Sequence, residues 1–235
     1  MHTLRLGLKT NRYLDRIIEK RYGMIFRIHN ALVKYGKKQI SRLKKDPEYR
    51  ELLARYGQIK KEEADGQVSA DKDEVKERLD GILQSYGLTK AALYKYVSVM
   101  QKKFKKHISS QQAQAQAEAE KVLKGIEAVL YGDGKDIHYK KYLDILTITG
   151  KSNTNGAKFF LVPDHEHQKL NCYIEWNGLT IPVKLDISRA DLPDGKNYIW
   201  ESLNAGQLKY CEIVRLWFKS GWRYYVNLYL KGDSP

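Results

Sequence analysis

Two alternating runs near the C-terminal end constrain the fold most. In the runs Leu208 to Phe218 and Trp222 to Leu230, successive side chains would lie on alternate faces of a strand. Lys219-Ser220-Gly221 lies between the two runs. This pattern predicts a long antiparallel β-hairpin. His2 to Lys9 also alternates and predicts a strand at the opposite end of the chain. Because this first strand can complete the later sheet, we expect the residues between them to form an insertion.

The residues between the first strand and the later strands have helical apolar spacing. The predicted helices are Asn11 to Leu43, Pro47 through Tyr56, Ser69 to Ser85, Thr89 to about Lys106, and Ser109 to Leu130. Gly57 to Gln67 is predicted to be a turn or linker, and Ser69 a helix cap. Gly87 is predicted to end the third helix.

Strand-like runs follow from Lys135 onwards. Besides the final hairpin, they are Leu143 to Thr149, Ala157 to Val162, Asn171 to Trp176 and Leu179 to Leu185. Asn177-Gly178 between two of them is the clearest turn signal. The fold class is therefore predicted to be α+β, with a small antiparallel β-barrel or sandwich and an inserted helical block.

The net charge is +14, and it is distributed in blocks. Residues 1–60 carry 16 Lys and Arg against 5 Asp and Glu, residues 61–90 carry 5 against 8, and residues 91–110 carry 5 against none. Separate basic blocks indicate discrete polyanion contacts, and 17 Tyr and 4 Trp supply rings that stack on unpaired bases. This favours nucleic acid over two alternatives, namely solvated helix faces and an anionic membrane surface.

Several functional classes are disfavoured by the residues present. The sequence has no run of about 18 apolar residues, so no membrane span is predicted. Cys172 and Cys211 lack CxxC spacing, which argues against a zinc ribbon and a disulfide framework. Asp164-His165-Glu166-His167 is similar to a metal site, but it lacks further ligands at a recognised spacing. Pro163 before it indicates a loop.

A resemblance to a known family rests on three segments. They are Leu4 to Val33, Tyr86 to Asn153 and the final LKYCEIVRLWFKSGWRYYVNLYLKGDSP. Together they resemble the wedge and recognition portion of TnpB/OrfB proteins, the transposon-encoded RNA-guided nucleases related to type V CRISPR effectors. The resemblance implies a wedge barrel (OB-like) interrupted by a helical recognition lobe. Residues 1–10 would be its first strand, 11–134 the lobe, and 135–235 the rest of the barrel.

The resemblance also implies where target DNA is contacted. In the family, a Ser- and Gln-bearing helix and a neighbouring wedge loop lie against a short motif adjacent to the target. Lysines hold phosphates, while Gln and Asn carry the donor and acceptor that pair with adenine in the major groove. The predicted DNA-binding residues are Lys102, Lys103, Lys105, Lys106, Ser109, Ser110, Gln111, Gln112, Gln114, Lys151, Ser152, Asn153, Thr154 and Asn155.

Other basic residues are predicted to contact guide RNA. They lie on the first helix, after the last helix of the lobe, and in the final hairpin, where cations neutralise phosphates of an A-form duplex without reading its sequence. The predicted RNA-binding residues are Arg12, Arg16, Lys20, Arg21, Arg27, Lys135, His138, Lys140, Lys141, Arg215, Lys219 and Arg223.

These features predict the guide-RNA-binding and target-adjacent-motif recognition module of a TnpB-like RNA-guided nuclease in the prokaryotic cytosol. Its expected partners are guide RNA and double-stranded target DNA, with RuvC supplied either by a separate RuvC-bearing chain or by a removed C-terminal part, and no membrane partner. In the family a RuvC-type nuclease follows the final hairpin at once. Its three carboxylates and its four-cysteine zinc ribbon are missing from this sequence. We therefore expect no cleavage by this chain alone and assign it no catalytic residue and no cofactor, since Mg²⁺ and Zn²⁺ belong to the missing parts.

Two alternatives remain open. One is a nuclease-less RNA-guided DNA binder that represses transcription by occupancy, and the other is a guide-independent nucleic-acid-binding transposon regulator. An exposed apolar patch near Trp217, where a RuvC domain would dock, favours a split nuclease over the first alternative, whereas a polar surface there favours that alternative. Loss of binding after RNase treatment excludes the guide-independent regulator.

Overall fold

The structure, a computed structural model, describes residues 1–65, 71–103, 112–150, 152–164, 169–186, 195–232 and 234. It is α+β and contains two antiparallel sheets among these residues. The elements are β1 (His2–Gly7), α1 (Arg12–Leu43), α2 (Pro47–Ala64), α3 (Lys72–Ser85), α4 (Lys90–Lys103), α5 (Gln112–Tyr131), a 3₁₀-helix (Tyr142–Asp144), β2 (Thr147–Thr149), β3 (Ala157–Asp164), β4 (Lys169–Trp176), β5 (Leu179–Pro182), α6 (Tyr198–Ala205), β6 (Gln207–Phe218) and β7 (Gly221–Lys231).

The first sheet has the strand order β1-β7-β6-β2. The final hairpin is confirmed: β6 pairs with β7 from Gln207 opposite Lys231 to Phe218 opposite Gly221. The prediction that the first strand completes the later sheet is also confirmed, because β1 pairs antiparallel with β7 and sets Leu4 opposite Leu228. The alternation decides this register, since a slip of one residue would turn the buried leucines to solvent.

The second sheet has the order β3-β4-β5, and the β4–β5 turn is the predicted one. Asn177 and Gly178 both have positive φ angles, of 47° and 72°, as a type I′ turn requires. The predicted barrel is wrong, because neither sheet closes on itself among the described residues. A single bridge, Leu8 to Val183, joins β1 to β5. Pro182 ends β5 and has no N–H with which to continue a ladder.

Two element boundaries and one helix differ from the sequence prediction. The predicted turn from Gly57 is wrong as far as Ala64, because α2 continues and buries Ile59 completely. Burial of one apolar face outweighs the low helix propensity of a single glycine. The strand predicted from Leu143 begins only at Thr147. Helix α6 was not predicted; Asn197 caps it by accepting a 2.9 Å hydrogen bond from the backbone N–H of Trp200. Ser69 lies outside the described residues.

The chain divides into two compact units. The sheet unit comprises Met1–Phe26, Ser109–Ala117 and Lys141–Pro235, and the helical unit comprises Arg27–Ile108 and Glu118–Lys140. The sheet unit has an apolar core in which the two sheets and the first turns of α1 contribute the fully or nearly fully buried side chains Leu6, Ile25, Ile148, Ile174, Ile213 and Val226. The helical unit buries Ile28, Leu32, Leu43, Ile59, Leu93 and Ile126. None of the described helices is apolar over a length that would cross a bilayer.

Gly87 ends helix α3 as predicted. Its φ angle is +69°, its N–H donates to Gln84 O (3.0 Å), and the next N–H, of Leu88, donates to Leu83 O (2.9 Å). These two hydrogen bonds form a Schellman motif, which satisfies carbonyls that the helix end leaves unpaired. A Cβ at this glycine would lie 2.1 Å from the hydroxyl oxygen of Tyr35.

We predict that Gly87→Ala lowers the free energy of unfolding by about 1–2 kcal/mol, because alanine resists a left-handed backbone and would clash with Tyr35. Urea unfolding followed by circular dichroism measures the change. Gly81→Ala is the matched control: Gly81 is exposed in the same helix and an added Cβ meets nothing within 4 Å. The control should stabilise by up to about 1 kcal/mol. Equal effects of the two substitutions would contradict the assignment.

Candidate nucleic-acid interface

The structure brings two predicted DNA-contacting segments of the sheet unit to one cavity. The start of α5 and the turn before β3 line it, together with residues from β3, β4 and the β4–β5 turn. We call this cavity of about 280 Å³ the polar cleft; its lining residues are Gln112, Ala113, Thr154, Asn155, Gly156, Lys158, Glu175 and Asn177. Amide and hydroxyl groups dominate the lining, and Lys158 lies opposite Glu175 in the β3–β4 register.

The turn before β3 is held by its own side chains. Ser152 Oγ accepts hydrogen bonds from the backbone N–H groups of Thr154 (3.3 Å) and Asn155 (3.1 Å). Asn153 Oδ1 accepts from the backbone N–H of Phe159 at 2.8 Å, and Asn153 Nδ2 donates to Phe159 O at 3.4 Å. Thus Ser152 and Asn153 shape the turn, whereas the exposed Thr154 and Asn155 are presented at the cleft.

Neighbouring glutamines of α5 face in different directions. Gln112 is exposed and lines the polar cleft. Gln114 is only 3% exposed, and its Nε2 is buried without a hydrogen-bond partner among the described residues. Positions two apart on a helix point to roughly opposite sides, so they cannot both face one ligand. The structure therefore leaves Gln112 available for contact but not Gln114.

Arg21 braces the wall of the polar cleft. Its guanidinium donates to Trp176 O (2.5 Å) and to Asn177 O (3.1 Å), and it stacks 4.4 Å from the centroid of the Trp176 ring. Burial lowers the pKa of Arg21 to about 10, so the group stays charged at neutral pH. Arg21 was predicted to contact RNA, but in the structure it fixes the β4–β5 turn that presents Asn177.

Several predicted residues cannot be located on this surface. Lys105, Lys106, Ser109, Ser110, Gln111 and Lys151 lie outside the described residues, as do His165, Glu166 and His167 of the metal-like sequence. Lys102 and Lys103 are exposed in the last turn of α4. Within the described part of the chain, no group of three His, Cys, Asp or Glu residues is arranged to hold a metal ion.

Most predicted RNA-contacting cations lie at the surface. On α1, in the segment after α5 and in the β6–β7 hairpin, the exposed ones are Arg12, Arg16, Lys20, Arg27, Lys135, His138, Lys141, Lys219 and Arg223. Lys140 is half-buried, and its backbone N–H and C=O are both hydrogen-bonded by the side chain of Asn30, at 3.0 and 2.9 Å. These side chains therefore lie at the surface, where an RNA contact requires them.

Arg215 does not lie at the surface, contrary to what an RNA contact requires. It is 0% exposed, and its guanidinium donates to Glu19 Oε2 (2.6 Å), Ile145 O (2.9 Å) and Tyr142 O (2.6 Å). The guanidinium carbon also lies 4.3–4.4 Å from the ring centroids of three aromatic residues, Tyr22, Tyr142 and Trp222. The buried cation is thus hydrogen-bonded, ion-paired and stacked, as burial of a charge requires.

Glu19 is the carboxylate that balances Arg215. It also accepts hydrogen bonds from the hydroxyls of Tyr142 (2.5 Å) and Tyr224 (2.9 Å). Burial, followed by the negative charge of Glu19, raises the pKa of Tyr224, so this hydroxyl stays protonated and donates. The four side chains link α1, the 3₁₀-helix, β6 and β7. Arg215 is therefore a core residue of the sheet unit rather than a nucleic-acid contact.

The tip of the β6–β7 hairpin exposes aromatic surface. Trp217 is 66% and Phe218 is 38% exposed. Trp217 packs edge-on against Trp222 at 5.1 Å between ring centroids, and the guanidinium of Arg223 lies 4.7 Å from the Phe218 ring centroid. Exposed aromatic side chains of this size, flanked by cations, are typical of interaction surfaces.

Some residues of the interface were not predicted from the sequence. Lys158 and Asn177 line the polar cleft, but from the sequence Asn177 was predicted only as a turn residue. Lys158 ends the candidate segment that starts at Lys151, yet it was not among the predicted contacts. Their role depends on the packing of the start of α5 beside β3 and β4. No model of a known protein family matches this chain, and a comparison with curated proteins finds no match either.

We predict that Arg215→Met lowers the free energy of unfolding by about 3–5 kcal/mol, because it leaves Glu19 without its cation and removes the guanidinium donors from Ile145 O and Tyr142 O. Chemical denaturation of the purified variant measures the loss. Arg223→Met, at an exposed position of the same hairpin, should change stability by less than about 0.5 kcal/mol. A small effect at Arg215 would show that the buried network contributes little.

Proposed function

We propose that this chain is the guide-RNA-binding and target-adjacent-motif recognition module of a TnpB-like RNA-guided nuclease, and that it does not cleave DNA by itself. The observation that carries the proposal is the polar cleft. It joins Gln112 of α5 to Thr154 and Asn155, members of the two segments that the resemblance assigns to the adjacent motif. The two segments are about forty residues apart in the sequence. That they line one cavity is therefore an observation of the fold, which is independent of the resemblance.

The chemistry of the cleft suits base edges in a DNA groove. Carboxamides offer a donor and an acceptor side by side, which is the pattern that adenine N6 and N7 require. Gln112 and Asn155 are both exposed, and the turn that carries Asn155 is held by Ser152 and Asn153. A side chain on a fixed backbone loses less entropy on binding, so it discriminates between bases more sharply.

Guide-RNA binding is supported by exposed cations. Arg12, Arg16 and Lys20 are all exposed on α1, and Lys219 and Arg223 are exposed at the tip of the β6–β7 hairpin. The protein charge of +14 gives a general attraction for polyanions. An RNA scaffold is recognised by such contacts to its backbone and shape, while base pairing between the guide and the target strand specifies the target sequence.

The exposed hairpin tip supports contact with a nuclease domain over a nuclease-less repressor. Trp217 and Phe218 present aromatic surface at the hairpin after which, in the family that the chain resembles, the RuvC-type domain follows. A chain that acts by occupancy alone has no need of an exposed apolar surface at this place. This observation favours a module that works with a nuclease over one that acts by occupancy alone.

The first test concerns the RNA. The chain is purified from its native host without nuclease treatment, and the bound RNA is sequenced. A single dominant structured RNA with a variable end is expected, because the guide scaffold is constant and the guide segment is not. Recovery of mixed cellular RNA that salt removes would contradict the proposal and indicate a generic polyanion surface.

The second test concerns the adjacent motif. The ribonucleoprotein is selected against targets flanked by randomised duplex DNA, and wild-type protein should enrich one short motif. The double variant Gln112→Ala/Asn155→Ala should lose that preference by roughly five- to a hundredfold at one or two positions, since each bidentate contact discriminates by about 1–3 kcal/mol. RNA binding should be unchanged.

Matched substitutions test whether this loss is specific to the polar cleft. Gln84→Ala/Asn204→Ala removes the same two carboxamide types from exposed positions of α3 and α6. This control should keep the motif preference of the wild type. An equal loss in both double variants, or an unchanged preference in the cleft variant, would contradict the assignment of the cleft.

A further inference from the structure

A cavity lined by lysines lies in the helical unit, between the end of α1 and the segment after α5. It is a cavity of about 500 Å³ that we call the lysine cleft. Lys37, Lys44 and Lys45 line it from α1 and the residues that follow, and Lys135 and Asp136 line it from the other side. Ile40 and Val129 give it an apolar floor, and Ser41 adds a hydroxyl.

One wall of the lysine cleft is fixed by the buried side chain of Ile137. Ile137 is 4% exposed, and it packs against α1 and α5 at two glycines. A Cβ at Gly36 would lie 2.8 Å from Ile137 Cδ1, and one at Gly125 would lie 3.1 Å from Ile137 Cγ2. Glycine at both places therefore lets Ile137 approach the helices closely. The anchored isoleucine holds the backbone of Lys135 and Asp136 at the cleft.

The opposite wall is fixed by the corner between α1 and α2. The backbone N–H of Lys44 donates to Ile40 O (2.9 Å), and that of Lys45 donates to Arg42 O (3.0 Å). Asp46 then caps α2: its Oδ1 accepts from the N–H groups of Glu48 (2.9 Å) and Tyr49 (3.2 Å). Both lysines thus project from a backbone that is already ordered, although their side chains are exposed.

The charges of the lysine cleft leave an excess of cations. Asp136 accepts a hydrogen bond from Lys37, which holds the pKa of this carboxyl below its usual value and keeps it ionised. One carboxylate therefore faces four lysines. Lys44, Lys45 and Lys135 are exposed around the same cavity, where like charges repel one another until an anion lies between them.

We propose that the lysine cleft binds the phosphodiester backbone of a nucleic acid, with Lys44, Lys45 and Lys135 contacting phosphate oxygens. The proposal rests on the proposed function, to which it adds a defined site in the helical unit. Lysine ammonium groups are compact charges without the planar fork of arginine, so this site supplies affinity but no base reading. The apolar floor of Ile40 and Val129 lowers the local polarity and strengthens each contact.

The test measures binding against salt concentration for two triple variants. The cleft variant is Lys44→Gln/Lys45→Gln/Lys135→Gln, and the control is Lys60→Gln/Lys76→Gln/Lys95→Gln, which removes three exposed lysines outside the cleft. Both variants lose the same charge, so any general electrostatic effect is equal. Full-length protein is titrated with a structured RNA hairpin and, separately, with a DNA duplex, and Kd is measured from low to moderate salt.

We expect the slope of log K against log salt to fall by about 2–3 for the cleft variant and by less than about 1 for the control, because each lost phosphate contact removes about 0.7–0.9 from the slope. A difference with RNA alone assigns the site to an RNA backbone, and a difference with both ligands assigns it to either backbone. Equal slopes for the two variants would overturn the lysine cleft while leaving RNA binding intact. Wild-type protein that binds neither ligand would overturn both proposals.

Discussion

The ion pair between the buried Arg215 and the partly exposed Glu19 is the interaction on which the sheet unit depends. A guanidinium with no exposed surface is stable only if its donors and its charge are satisfied, and here a carboxylate, two carbonyls and three aromatic rings do so. Removing either charged partner would leave the other uncompensated. The pair therefore fixes α1 against the 3₁₀-helix and the β6–β7 hairpin in one geometry.

This constraint extends to the candidate interface. Arg21 follows Glu19 by two residues on α1, and its guanidinium holds the carbonyls of Trp176 and Asn177. Placement of α1 by the ion pair thus determines where Arg21 reaches and, through it, where the β4–β5 turn stands. That turn forms part of the polar cleft. The ion pair thus affects the position of the surface amides, because Glu19 and Arg21 lie on the same turn of α1.

Local patterns predicted the elements that local chemistry determines. Alternation predicted β1 and the final hairpin, Asn177-Gly178 predicted the β4–β5 turn, and Gly87 predicted the end of α3. Closure of a barrel was predicted wrongly, because it depends on pairing between the ends of β1 and β5, which are far apart in sequence. Among the described residues this pairing is limited to the Leu8–Val183 bridge, where Pro182 accepts from the Lys9 N–H but has no N–H to donate in return. The extension of α2 past Gly57 was missed for a similar reason, since burial of Ile59 is a tertiary effect.

Site residues were harder to predict, because sequence shows the type of a side chain but not its surroundings. Arg215 and Gln114 carry groups suited to nucleic acid, yet both are buried. Conversely, the sequence does not show that Lys44 and Lys45 share a cavity with Lys135. The packing of Ile137 against α1 and α5 brings Lys135 there. The interface is therefore defined by which polar groups the core has left without a structural role.

If both proposals hold, the polar cleft and the lysine cleft divide recognition between different kinds of side chain. Amides in the polar cleft have directional donors and acceptors, so they distinguish bases but add little long-range attraction. Ammonium groups in the lysine cleft attract any phosphate within about a Debye length and distinguish none. The affinity of such a module for nucleic acid would fall as the salt concentration rises, whereas its preference among bases would not. Different contacts supply the affinity and the base preference.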